Sequence, residues 1–167
     1  MLLLLAVALL FSSSAVIGTE RAHARRYSLD QILDAIRTTE SGGCKDEGRD
    51  ATGDGGRAIG PYQVHRSHWQ DSRQPGRFED CRDPAYARRE VIAYWERWCP
   101  EALARRDAEV LARVHNGGPN GARKEGTLPF WRRVRAALER DDGSTARGAG
   151  RRARHGPGAT RARPGRT

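Results

Sequence analysis

Ser28-Leu29-Asp30-Gln31-Ile32-Leu33-Asp34-Ala35-Ile36-Arg37-Thr38-Thr39-Glu40-Ser41-Gly42-Gly43 is the stretch whose reading sets the architecture. Ser28 followed by Gln31 makes a capping box, which satisfies backbone N–H groups that a helix start leaves open. Leu29, Ile32, Leu33 and Ile36 fall on one face of the helix so begun, and Gly42-Gly43 stop it just beyond Glu40. A glutamate therefore closes a helix. There a carboxyl group sits among unpaired carbonyls at the negative end of the helix dipole, a setting that favours the protonated form. A carboxylic acid that keeps its proton is what glycosidic bond cleavage requires as general acid.

Downstream, Cys44 to Gly60 is rich in glycine and without apolar periodicity, which predicts a loop or small β-hairpin with Gly53-Asp54-Gly55-Gly56 as its tight turn. The segment around Trp69 reads as loop and short helix. Asp83-Pro84 is a helix start with proline at the first position, and Val91, Ile92, Tyr94, Trp95 and Trp98 give the thickest apolar concentration of the chain. Leu103 to Val114 reads as one further helix, ended by Gly117-Gly118-Pro119. Thr127 is expected to cap a last helix carrying Leu128, Trp131, Val134 and Leu138 at spacings of three and four. The fold class is α+β, predominantly α, with a small hairpin or loop region after the first helix. No internal repeat is visible.

The two ends differ from the middle. Leu2 to Phe11 is an unbroken apolar run, too short to span a bilayer but suited to the core of a signal peptide, and Ala22-His23-Ala24 supplies a cleavage pattern. Residues 1–24 are accordingly read as a signal peptide, although no Lys or Arg precedes the run, and the protein as secreted, to the periplasm or beyond. Residues 25–140 form the domain. Residues 141–167, rich in Gly, Ala, Pro and Arg, are read as a disordered basic tail. Of the formal net charge of +9, the tail carries +5 and the domain +4. Both parts being basic, an anionic partner is expected: a wall polymer, a membrane surface or nucleic acid. Cys44, Cys81 and Cys99 match no zinc spacing, so no metal or cofactor is invoked. In an exported protein they predict one disulfide. A continuous helix over 84–97 would hold Cys81 and Cys99 about 20 Å apart, which favours Cys44 with one of the other two.

Several motifs together resemble a known family. Glu40-Ser41-Gly42-Gly43-Cys44, Gly60-Pro61-Tyr62-Gln63-Val64 leading to Trp69-Gln70-Asp71, Pro75-Gly76, Asp80-Cys81, the string His115-Asn116-Gly117-Gly118-Pro119-Asn120-Gly121 and Thr127-Leu128-Pro129-Phe130-Trp131 run in the order of the invertebrate-type lysozymes, the destabilase family, and their shorter bacterial relatives. The His-Asn-Gly-Gly-Pro-Asn-Gly string is the specific part. Glu-Ser alone is weak, since soluble lytic transglycosylases carry a similar pair. The resemblance covers about residues 27–139.

The resemblance implies a lysozyme-like fold that cleaves the β-1,4 bond between N-acetylmuramic acid and N-acetylglucosamine, with Glu40 as proton donor. It implies a second carboxylate on the β-region, for which Asp54 is chosen over Asp50 and Asp46. Substrate contacts by resemblance are Val64, His65, Arg66, Ser67, His68, Trp69 and Gln70, with Tyr94 and the loop His115-Asn116-Gly117; Gln63 is a further candidate. The expected partner is bacterial peptidoglycan, with no specific nucleic acid, anionic contacts through the tail, and a monomeric state. The alternatives are a lytic transglycosylase, in which Glu40 acts alone and an anhydro sugar forms, and a non-catalytic basic module that binds peptidoglycan. Some family members also split isopeptide bonds through a serine and a histidine. Arg57-Ala58-Ile59 stands where that serine is expected.

Overall fold

A computed structural model describes residues 27–154 apart from Gly43 and Lys45, with side chains described as far as Asp141. The expected signal peptide and residues 155–167 of the expected tail lie outside these. The first helix, α1 (Leu29–Ser41), begins as its sequence dictates: Ser28 Oγ accepts from Gln31 N at 3.1 Å and Gln31 Oε1 accepts from Ser28 N at 2.8 Å. It ends on Gly42, whose N–H donates to Thr38 O at 2.9 Å. A side chain at 42 would bring its Cβ to 2.1 Å of that same carbonyl, so glycine is needed there for close approach.

A three-stranded antiparallel sheet follows, β1 (Thr52–Gly53), β2 (Ala58–Ile59) and β3 (Val64–His65), in the order β1-β2-β3. Thr52 pairs with Ile59 and Ile59 with Val64. The turn between β1 and β2 is the predicted Gly53 to Gly56 segment, a single 3₁₀ turn over Asp54–Gly56. Five further α-helices follow, α2 (Arg66–Ser72), α3 (Pro84–Trp98), α4 (Pro100–Arg105), α5 (Ala108–Gly117) and α6 (Leu128–Arg154), with short 3₁₀ turns at Phe78–Arg82, Gly121–Arg123 and Glu125–Thr127 between them. Asp83 caps α3 as expected, accepting from Tyr86 N at 2.9 Å. α6 runs on past residue 140 as backbone helix, where alanine and arginine are good helix formers and extension of an existing helix is cheap.

Three expectations are corrected. The helix expected from Leu103 to Val114 is two helices, because Arg106 takes a left-handed conformation (φ 54°) that ends α4 and Asp107 caps α5, accepting from Val110 N at 3.2 Å. Thr127 does not spend its hydroxyl on capping α6. It points back to the carbonyls of Gly121 and Lys124 and receives Arg113 Nε at 3.0 Å. The expected disulfide is not formed, and Cys44, Cys81 and Cys99 are all free thiols. Cys81 is sealed in the core, Cys44 lies on the surface, and Cys99 stands beyond the far end of the 15-residue α3. Burial pushes the Cys81 thiol up to about 12 and that of Cys99 to about 11.

The core lies between α1, α3, α5 and α6. Ile32, Leu33 and Ile36 of α1, Val91 and Trp95 of α3, Leu111 of α5 and Val134 of α6 are each 0% exposed. Burial of side chains of this size contributes roughly 1.5–3 kcal/mol apiece. Trp95 is the central one and loses no hydrogen bond, since its indole N–H donates to Leu111 O at 3.1 Å. The sheet joins this core through Ile59 and Val64, and its β2–β3 turn meets the C-terminal ends of α1 and α5.

Candidate active site

The β2–β3 turn, Gly60 to Gln63, gathers the ends of two helices. Ser41 Oγ, at the close of α1, donates to Pro61 O at 2.9 Å. His115 Nε2, near the close of α5, lies 3.1 Å from Tyr62 O. A carbonyl can only accept, so that ring nitrogen carries its hydrogen. Gln63 takes a left-handed conformation (φ 49°) and donates its amide to Gly60 O at 2.9 Å. Gly53 on β1 makes room for it: a Cβ there would fall 2.4 Å from Gln63 Oε1.

A cleft of about 470 Å³ opens over this junction. Glu40 stands on one wall, its side chain 20% exposed, with Oε1 3.5 Å from His115 Nε2. Asp54 stands on the other, 60% exposed, with Oδ2 3.0 Å from His65 Nε2. Asp54 is itself left-handed (φ 49°), followed by left-handed Gly55 and Gly56. Its backbone carbonyl is held by Arg57 Nε at 2.9 Å. The alternative acids of the loop are placed otherwise. Asp46 accepts from Gly48 N at 3.1 Å and Asp50 N at 2.7 Å, and these backbone donors, the Asp50 bond foremost, hold its carboxyl below the usual range. Asp50 does not line the cleft.

Between the two walls, His68 lies flat on Tyr94, ring centroids 3.6 Å apart and planes 15° from parallel. His115 meets His68 nearly at right angles. Burial pushes the Tyr94 and Tyr62 hydroxyls up to about 12, so both remain neutral donors.

Of the residues singled out from sequence, Glu40, Asp54, Gln63, His65, Ser67, His68, Tyr94, His115 and Asn116 line this one cleft. Five do not. Val64 is buried in the sheet at 1% exposure. Arg66 reaches Glu79 at 3.3 Å and lies over Phe78. Trp69 turns its indole N–H to Tyr86 Oη at 2.9 Å. Gln70 is exposed outside the cleft, and Gly117 packs beside Thr127 while its neighbours Asn116 and Gly118 line the opening. The structure adds Gly53, Ala58, Asp71, Gly118 and Pro119 to the lining. It also adds, beneath the floor, Glu90, bonded to His68 at 2.9 Å. Glu90 had a signal in the sequence: it sits three residues after Ala87 and four before Tyr94, a charge in the buried stripe of α3.

No protein-family model matches the chain. Against curated proteins it is 34% identical over 96 residues to the invertebrate-type lysozyme of Ruditapes philippinarum, covering 55% of this chain and 68% of that one. The chain belongs to the invertebrate-type lysozymes. Lysozyme 1 of Crassostrea virginica is 36% identical over 110 residues, or 64% of this chain and 58% of that protein, so this family member spans under two thirds of the length of that longer relative. Among solved structures, Tapes japonica lysozyme superposes with a TM-score of 0.53 at 32% identity, over 62% of this chain and 85% of that one. The α+β architecture is that of these lysozymes.

Proposed function

We propose that this invertebrate-type lysozyme family member is a glycoside hydrolase that cleaves the β-1,4 bond between N-acetylmuramic acid and N-acetylglucosamine in bacterial peptidoglycan. The observation that carries this reading is the seating of two carboxyl groups with unlike surroundings, Glu40 and Asp54, in a single cleft. Glycosidic cleavage asks for such a difference. One group gives a proton to the departing oxygen, while the other stays ionised on the opposite face of the sugar.

Glu40 is assigned the first task. It is mostly enclosed, ends a helix, and rests on the His115 ring. Asp54 is assigned the second, as nucleophile or as stabiliser of the oxocarbenium-like transition state. It is open to solvent, and His65 beside it fixes the direction of one oxygen. The proton that leaves Glu40 goes to the leaving-group oxygen, and water supplies the hydroxyl that ends on the muramic acid. Gln63, Ser67 and Asn116 offer donors and acceptors to amides and hydroxyls, while the stacked His68–Tyr94 pair, buried beneath them, backs the cleft. This chemistry calls on no cofactor. Export behind a signal peptide, action as a monomer and contact of the basic tail with an anionic wall surface belong to the same proposal.

Digestion of purified peptidoglycan followed by analysis of the products tests it. Fragments ending in reducing muramic acid are expected. Fragments ending in 1,6-anhydromuramic acid, or no fragments with binding retained, would overturn the assignment.

A further inference from the structure

Glu90 is a wholly buried carboxylate, 0% exposed, on the face of α3 that packs against α2. Its Oε1 lies 2.9 Å from His68 Nδ1. His68 in turn meets the His115 ring at 5.3 Å and 72°, and His115 Nε2 stands 3.5 Å from Glu40 Oε1. Four side chains from four helices thus form one line, with a carboxylate at each end. Among the described residues, the buried side-chain polar atoms with no hydrogen bond in the chain are Glu90 Oε2, His68 Nε2 and His115 Nδ1. All three belong to this line.

The chemistry of the line is constrained. The Tyr62 carbonyl fixes the His115 hydrogen on Nε2. An ionised Glu90 accepts, which fixes the His68 hydrogen on Nδ1. Burial holds His68 toward its neutral form, against the opposing pull of Glu90. The other groups facing that ring are Tyr94 from α3, His115 from α5 and Asp71 from its own helix; the Cys81 thiol lies near Glu90. An apolar side chain at 90 would fill the same space without a charge to bury. What the Glu90–His68 hydrogen bond supplies is a single ring orientation and a single tautomer.

We propose that Glu90 is a positioning residue for Glu40, acting through His68 and His115. The inference rests on the role given to Glu40 above. With Glu90 in place, His68 keeps one plane against Tyr94 and one edge against His115. His115 then keeps its Nε2–H directed at Tyr62 O and Glu40, and the Glu40 carboxyl is held at one site on the cleft wall.

Glu90→Gln keeps the shape and an acceptor for His68 but removes the charge. Two readouts are taken on the variant: steady-state kinetics on peptidoglycan fragments, and the imidazole ¹⁵N signals of His68, His115 and His65. The expected result is a fall in kcat of roughly ten- to a hundredfold with KM little changed, the size of effect that a misplaced catalytic group gives. The His68 and His115 signals should both move, while those of His65, paired with Asp54 across the cleft, stay. A folded variant with kcat intact would overturn the inference, and so would a fall in kcat with the His115 signals unmoved, since Glu90 does not touch that ring. Should the variant not fold, the wild-type signals decide: protons on His68 Nδ1 and His115 Nε2 support the line, and either on the other nitrogen refutes it. A wild-type protein that cleaves nothing would sink the proposed function and leave the ring signals to judge the coupling.

Discussion

The two walls of the cleft are built by different means. The Glu40 wall is held by tertiary bonds: Ser41 to Pro61 O, His115 to Tyr62 O, and the packing of α1 against α6 beneath them. The Asp54 wall is held by its own backbone, three consecutive left-handed residues closed by Arg57 and His65. One carboxyl group is mostly enclosed and the other mostly open. The contrast shows how a small domain gives two acids of the same chemistry two environments: the first comes from the meeting of distant segments, the second from local turn geometry.

The largest way to break the contrast is at Glu40 itself. Glu40→Gln is expected to cut the rate of wall clearing by about 10²- to 10⁴-fold, the usual worth of a general acid, while binding to insoluble peptidoglycan persists. A clearing assay and a pull-down on the same preparation measure both, and an indifferent variant would make the protein a binding module. Next comes the bond that ties the Glu40 wall to the turn. Ser41→Ala leaves the buried Pro61 carbonyl without this donor and is expected to cost about 1–3 kcal/mol, read from the midpoint of urea unfolding. The Asp54 wall should give less. Gly55 is left-handed (φ 66°) with open space around it, so Gly55→Ala meets no clash and is expected to cost only about 1 kcal/mol of backbone strain. Its effect on turnover should exceed its effect on stability, because the strain bears on Asp54.

How much of this was legible in the sequence follows the same division. Local features read well: the Ser28–Gln31 box, the glycine stop after Glu40, the turn at 53–56 and the Asp83-Pro84 start all stand where their chemistry put them. One local feature was missed, the Asp107 cap that starts α5 after left-handed Arg106, and features that depend on distant segments were not legible. Which side chains of 64–70 face the cleft depends on how β3 passes directly into α2, and periodicity over seven residues does not fix that register. Thr127 looked like a cap because its competing partners, Gly121 O and Arg113, are tertiary. Glu90 was visible as a charge in an apolar stripe, but its partner lies 22 residues away.

The smallest expected effect concerns pH. Burial lowers the proton affinity of His68 in the folded protein below its unfolded value of 6.5. Below that pH the unfolded chain binds a proton that the folded one does not, so this group's contribution is present above pH 6.5 and is lost as the pH falls toward the folded value. Thermal unfolding followed between pH 7 and 5 should show the decline, and a shallower slope in Glu90→Gln would contradict it, since Glu90 favours the protonated ring.

The most direct test of the account is a crystal structure of the Glu40→Gln variant with a peptidoglycan tetrasaccharide bound. The account predicts the bridging glycosidic oxygen within about 2.6–3.2 Å of the residue-40 side chain and Asp54 facing the muramic acid ring from the other side. A sugar chain seated elsewhere, with residue 40 turned away from every glycosidic oxygen, would contradict it.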